Sequence, residues 1–258
     1  MTLAAHDLSL RYPRGRSVVK SVSLEVRPGR VLALVGANAS GKSTLLRGLA
    51  GLLFAEHGEA TLDGESIVGM SPARRAARIG WMPQRPSIAG RFTVREVVSI
   101  GRFARPVDPG AIDSAIDAVG LSDRGDSVAE ELSVGQLQRV AMARVLAQVP
   151  TDGVLLLDEP FAPLDPAQVA RAARLVRSRA RDGGIVVVAV HDLRLASVLG
   201  DDVLGLRDGE VVIQGPASES LDATAIMELF GVASVRGPEG VLPAIDLSDD
   251  AARDGVGG

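Results

Sequence analysis

The sequence predicts an α/β fold: a mostly parallel β-sheet covered by helices, with an antiparallel β region at the N-terminus and an inserted helical subdomain. Three observations predict it. Continuous apolar runs, "VLALV", "GVLLLD" and "IVVVAV", read as strands buried on both faces. Segments with helix start signals lie between them, the alternation that builds parallel sheets. The N-terminal stretches "LSLRY" and "VVKSVSLEV" instead alternate apolar and polar, as half-buried strands do.

Each element has a local reason. "PGRVLALVG" is a turn and then a buried strand, and a helix follows from Lys42 to near Gly51. "GEATLDGESI" is a short hairpin-like stretch turning at Asp63-Gly64. From about Arg85 the pattern becomes helical. Thr93 and Glu96 make a capping box, and Asp108-Pro109 opens a helix that stops at Gly120. Ser133 and Gln136 repeat the box ahead of "LQRVAMARVLAQ". Asp165-Pro166 starts a helix with apolar positions Val169, Ala173 and Val176, which ends at "DGG". Two terminal strands flank an Asp208-Gly209 turn. The helical subdomain is thus expected over about 87–150. "LSDDAARDGVGG" is polar and Gly-rich, so residues 236–258 read as a partly disordered tail.

Composition excludes several classes. The chain has 258 residues, 46% of them hydrophobic, enough for a sizeable core. A formal net charge of -4 without a basic block argues against nucleic acid as a partner. Arg74, Arg75 and Arg78 are the densest basic cluster and read as a solvated helix face. Without cysteine there is no disulfide or thiolate metal site, which fits a cytoplasmic protein. The N-terminus lacks a secretory signal pattern, and no run reaches the roughly 18 apolar residues of a membrane helix. A membrane role must pass through a partner.

Lysine is rare here: 2 residues, Lys20 and Lys42, among 28 basic ones. Lys42 lies in Gly36-Ala37-Asn38-Ala39-Ser40-Gly41-Lys42-Ser43-Thr44, between an apolar strand and a helix, the pattern of a phosphate-binding loop. Glycines let backbone N–H groups turn toward an anion, and the helix N-terminus adds partial positive charge. A lysine ammonium is a compact point charge that can touch two phosphates; an arginine fork fills that space differently. Ser43 can offer its hydroxyl to Mg²⁺. "VLLLDEP" delivers Asp158 and Glu159 at a strand's carboxyl end, where open α/β sheets bind ligands. Asp158 is expected to hold Mg²⁺ through water, and Glu159 to act as general base for a water attacking the γ-phosphate. These motifs together predict a P-loop NTPase (RecA-like) core. His191 ends a strand on the same sheet edge and is expected to face the γ-phosphate or that water. His6 and His57 read as surface residues.

"LSVGQLQRVAMARVLA", residues 132–147, resembles the signature of ABC ATPases, about twenty residues ahead of the Asp-Glu strand. The other motifs fall in that family's order, and the resemblance covers roughly residues 2–235. It implies that Tyr12 stacks on adenine, that Gln84 in "WMPQ" is the glutamine at the metal and attacking water, that Asp165 belongs to the D-loop, and that His191 is the switch histidine. It implies ATP and Mg²⁺ as ligands. It also implies a head-to-tail pair of chains, in which Ser133, Gly135 and Gln136 of one chain serve the nucleotide of the other. The chain departs from the family at Val134, where glycine is usual, and at Ala162-Pro163 before Leu-Asp. Transmembrane permease subunits, and through them a substrate-binding protein, are the implied partners, on the cytoplasmic face of the cell membrane. "IGRFARP", residues 100–106, and "GPASESLDATAIMELFGV" resemble importers of iron-siderophores, haem and cobalamin. An ATPase for zinc, manganese or another substrate, a soluble ABC ATPase and a P-loop kinase are the competing readings.

Overall fold

The computed structural model describes residues 1–13, 15–231, 234–237 and 240–243; the rest of the expected tail, 238–239 and 244–258, lies outside the described residues. The chain opens with β1 (Leu3–Arg11), β2 (Ser17–Val26) and β3 (Val31–Val35), then α1 (Lys42–Leu49), β4 (Ala55–Leu62), β5 (Glu65–Ser66), α2 (Pro72–Arg78) and β6 (Ile79–Met82). Helices α3 (Val94–Ile100), α4 (Pro109–Ala118) and α5 (Val134–Gln148) follow. The sheet resumes with β7 (Val154–Asp158), α6 (Pro166–Arg181), β8 (Ile185–Ala189), α7 (Leu193–Leu199), β9 (Asp202–Arg207) and β10 (Glu210–Pro216). Helices α8 (Ala217–Ser220) and α9 (Ala223–Phe230) lead to the hairpin β11 (Ser234–Gly237) and β12 (Gly240–Pro243). Secondary structure therefore runs past the boundary expected at 235.

Two sheets build the body. One is antiparallel, in the order β2-β1-β4-β5. The other runs β10-β9-β3-β8-β7-β6; all its pairings are parallel except β9 with β10. Its central strands are buried on both faces, which is why they read as unbroken apolar runs. Alternate residues serve two cores. Val31, Ala33 and Val35 of β3, with Leu155 and Leu157 of β7, pack toward α3–α6. Leu32 and Leu34, with Val154 and Leu156, pack with α1 and the antiparallel sheet. Helix α1 supplies Leu45, Leu46 and Leu49 to that second core, each fully buried.

The local signals hold at atomic detail. Both capping boxes form, Thr93 with Glu96 and Ser133 with Gln136. Asp63 and Gly64 both take positive φ in the β4–β5 turn. Six elements were not expected: β6, α7, α8, α9, β11 and β12. β6 has four residues with a glycine at its second position, too short for a periodic signal, and it becomes a strand by pairing with β7. The arginine cluster is not simply solvated: Arg74 donates to Glu65 and Arg78 to Asp63, each at 2.5 Å.

Candidate nucleotide site

Loop 36–41 joins β3 to α1. Gly36 has φ 144° and Gly41 φ 110°, and a Cβ at Gly36 would lie 2.2 Å from the Leu206 carbonyl oxygen. A side chain is therefore excluded at Gly36 by space as well as by conformation. Ala39 also takes the left-handed region, at φ 63°. Lys42 is 5% exposed, and its Nζ donates to the carbonyl oxygens of Gly36 at 2.8 Å and Ala37 at 3.0 Å. The ammonium is thus held within the loop's own curve. Burial pulls its pKa below the ordinary lysine value, against the opposing pull of Glu159 and Asp158.

The carboxyl ends of neighbouring strands bring the other groups here. β3, β8, β7 and β6 lie side by side, so the phosphate loop, His191, Asp158-Glu159 and Gln84 share one sheet edge. Ser43 Oγ donates to Asp158 Oδ1 at 3.0 Å. Asp158 is 1% exposed; burial raises its pKa above the ordinary carboxylate value, Glu159 adds to this, and the Ser43 hydroxyl opposes it. Gln84 Nε2 donates to Glu159 Oε2 at 2.7 Å, and His191 Nε2 is paired with Glu159 Oε1. Glu159 itself is left-handed, at φ 51°. A buried carboxylate between an imidazole and an amide, beside an ammonium, is a setting for moving a proton next to a phosphate.

A hydroxyl and a carboxylate oxygen beside a phosphate cradle are the hard donors that Mg²⁺ takes. Among the described residues no group of three or more His, Cys, Asp or Glu forms a metal cage. Ser43 and Asp158 fit the ion; Gln84, also expected as a ligand, donates its amide to Glu159 here.

The signature lies at the N-terminus of α5. Ser133 Oγ accepts from Gln136 N at 3.3 Å, and Gln136 Oε1 accepts from Ser133 N at 2.9 Å. Ser133 caps the helix, leaving the Val134 and Gly135 N–H groups beyond reach of any helix carbonyl. Val134 is 72% exposed. A Cβ at Gly135 would lie 3.0 Å from the Pro163 carbonyl oxygen, so the helix start abuts the loop that carries Asp165. Asp165 Oδ1 accepts from Gln168 N at 2.9 Å and caps α6.

Tyr12 is tied to α1: its hydroxyl lies 3.3 Å from Thr44 Oγ1 and accepts from Arg47 Nη1 at 2.7 Å. Sequence reading missed Arg47, whose guanidinium sits over Tyr12 and Trp81, 6.0 and 5.8 Å from the ring centres. It also missed Gln138, 2% exposed, whose Nε2 donates to the Glu159 carbonyl oxygen at 3.2 Å. A signal existed: Gln138 is polar on the stripe Gln138, Met142, Val145, otherwise apolar and buried at helical spacing. In "GRFARP", Arg102 is 6% exposed and donates to the carbonyls of Pro106 and Ala147, both at 3.0 Å, so it ties the end of α3 to the end of α5.

Comparison with known proteins identifies the family. A family model described as ABC transporter matches residues 19–162. The chain is 35% identical over 255 residues to a hemin import ATP-binding protein of Rhizobium meliloti (strain 1021), covering 95% of this chain and 96% of the relative. It is 38% identical to a phosphonates import ATP-binding protein of Synechococcus sp. (strain JA-2-3B'a(2-13)), covering 89% and 90%. The solved dimer of the ATP-binding cassette MJ0796, in a post-hydrolysis state bound to ADP and Pi, superposes with TM-score 0.76 at 25% identity, over 83% of this chain and 98% of that one. This chain belongs to the ABC transporter family, as an ATP-binding, ATP-hydrolysing subunit.

Proposed function

We propose that this ATPase powers an importer of an iron chelate: haem, an iron-siderophore or the chemically related cobalamin. The hemin import relative carries this reading, because its likeness spans nearly the whole of both chains. The segment 100–106 supports it from the sequence side. The phosphonate relative is the rival, at similar identity over less of the chain.

In the proposed cycle two chains pair head to tail and dock on the cytoplasmic side of permease subunits, which receive cargo from a substrate-binding protein. Tyr12 stacks on adenine. The N–H groups of Gly36 to Thr44 and the Lys42 ammonium hold the phosphates. Ser43 and Gln84, with Asp158 through water, would hold Mg²⁺, which would supply positive charge to the phosphate oxygens. Glu159 takes a proton from water as the water oxygen bonds to the γ-phosphorus and the bond to the bridging oxygen of ADP breaks, releasing phosphate. His191 steadies Glu159 and the water. Ser133, Gly135 and Gln136 of the partner chain face the same γ-phosphate, and Asp165 lies at the junction between chains.

The test is uptake. A strain lacking the gene should take up labelled hemin, ferric siderophore or cobalamin at least about tenfold more slowly, with recovery on complementation. Normal uptake of all three, with failure to grow on a phosphonate as sole phosphorus source, overturns the cargo reading and leaves the ATPase in place.

A further inference from the structure

We propose that Gln138 is a positioning residue for Glu159: the signature helix of each chain holds the backbone of that chain's own base. The inference rests on the reading of Glu159 as base and deepens it.

Glu159 leaves β7 in the left-handed region, where a residue with a side chain persists only when its surroundings hold it there. Its N–H donates to the Ala189 carbonyl on β8 at 3.2 Å. With that N–H anchored, rotation about φ moves the Glu159 carbonyl and side chain together, because both hang from the same Cα. Holding the carbonyl therefore holds the carboxylate against Gln84 and His191. Two donors reach the carbonyl. Ala162 N is 3.4 Å away, within the same turn, and moves with it. Gln138 Nε2, at 3.2 Å, comes from α5, a separate element. Gln138 is buried, so releasing the carbonyl would strand its amide donor away from water. That penalty opposes relaxation of Glu159 toward an ordinary φ. Ser133 caps the same helix, so in a head-to-tail pair the element that meets the partner's nucleotide also braces its own chain's base.

The experiment uses the full chain with ATP and Mg²⁺. Gln138→Met keeps shape and burial but removes the donor. Expected is a fall in kcat of about tenfold or more, with KM for ATP within about twofold and an unchanged melting temperature. Gln138→Asn, one methylene too short, should show the same split. Combined with Glu159→Gln, Gln138→Met should lower the residual rate no further, because the carboxylate it positions is already gone; a packing role would lower it again. Wild-type kcat in either folded variant, a loss confined to KM, an additive loss in the double variant, or failure of both variants to fold overturns the proposal. Wild-type hydrolysis by Glu159→Gln would instead show that Glu159 is not the base. An inactive Glu159→Gln beside a full-rate Gln138→Met defeats only the positioning role.

Discussion

The sheet edge at the phosphate loop and the N-terminus of α5 are built on opposite plans. At the sheet edge the charged groups Lys42, Asp158 and Glu159 are buried and paired within the chain: Lys42 on loop carbonyls, Asp158 with half-buried Ser43, and Glu159 between Gln84 and His191, which lie at the exposed rim. At α5 no charged group is buried: Ser133 is exposed, Gln136 half-buried, and the two cap their own helix. The difference lies in what each side requires. A buried ionisable set needs strands and loops on several sides to wall it in. A helix cap needs only its own first turn, so its outer face stays open to another molecule. The buried set carries unfavourable desolvation, whereas the exposed cap adds to stability.

Removing the central charge of the buried half should have the largest effect. Lys42→Ala takes the only ammonium from the cradle and should lower ATP hydrolysis by about 10³-fold and weaken nucleotide binding, measured by steady-state turnover and by titration with a fluorescent nucleotide. Turnover at the wild-type rate would mean that the phosphate site lies elsewhere.

The exposed half should respond differently. Ser133→Arg should lower hydrolysis by about 10²-fold, on the order of 3 kcal/mol, while the isolated chain keeps its ATP affinity. Mixing Ser133→Arg chains with Lys42→Ala chains should restore part of the activity, since one site of the mixed pair carries neither defect. Loss of ATP binding by the isolated Ser133→Arg chain would assign the signature to the chain's own nucleotide.

Stability gives the smallest contrast, and its signs are opposite. Asp158 has a folded-state pKa above its unfolded value, through burial first and Glu159 second. Its contribution to stability is therefore greatest below the unfolded value and declines as pH rises through the folded one. Asp158→Asn should raise the melting temperature of the nucleotide-free chain at pH 7, by about 2–4 °C for each kcal/mol relieved, and the gain should shrink on acidification. Ser133→Ala should lower it, because a lost cap costs about 0.5–2 kcal/mol. A fall in melting temperature with Asp158→Asn at pH 7 would mean that ionised Asp158 supports the nucleotide-free fold.

What depends on near neighbours was legible along the chain. The glycine loop, the capping pairs Thr93/Glu96 and Ser133/Gln136, the Asp63-Gly64 turn and the buried strands are each set within a few residues, by backbone freedom, hydrogen bonding and burial. The tertiary structure decided what depends on strand order. Four-residue β6 exists only because β7 offers it a parallel partner, and Gln84 reaches Glu159 only because β6 lies next to β7. His191 meets Glu159 because β8 pairs with β7 on its other side. The bond from Gln138 to left-handed Glu159 spans 21 residues of sequence and forms because α5 packs against the end of β7. Propensity and spacing act along the chain, whereas these contacts act across it, and only the folded sheet brings them within hydrogen-bonding distance.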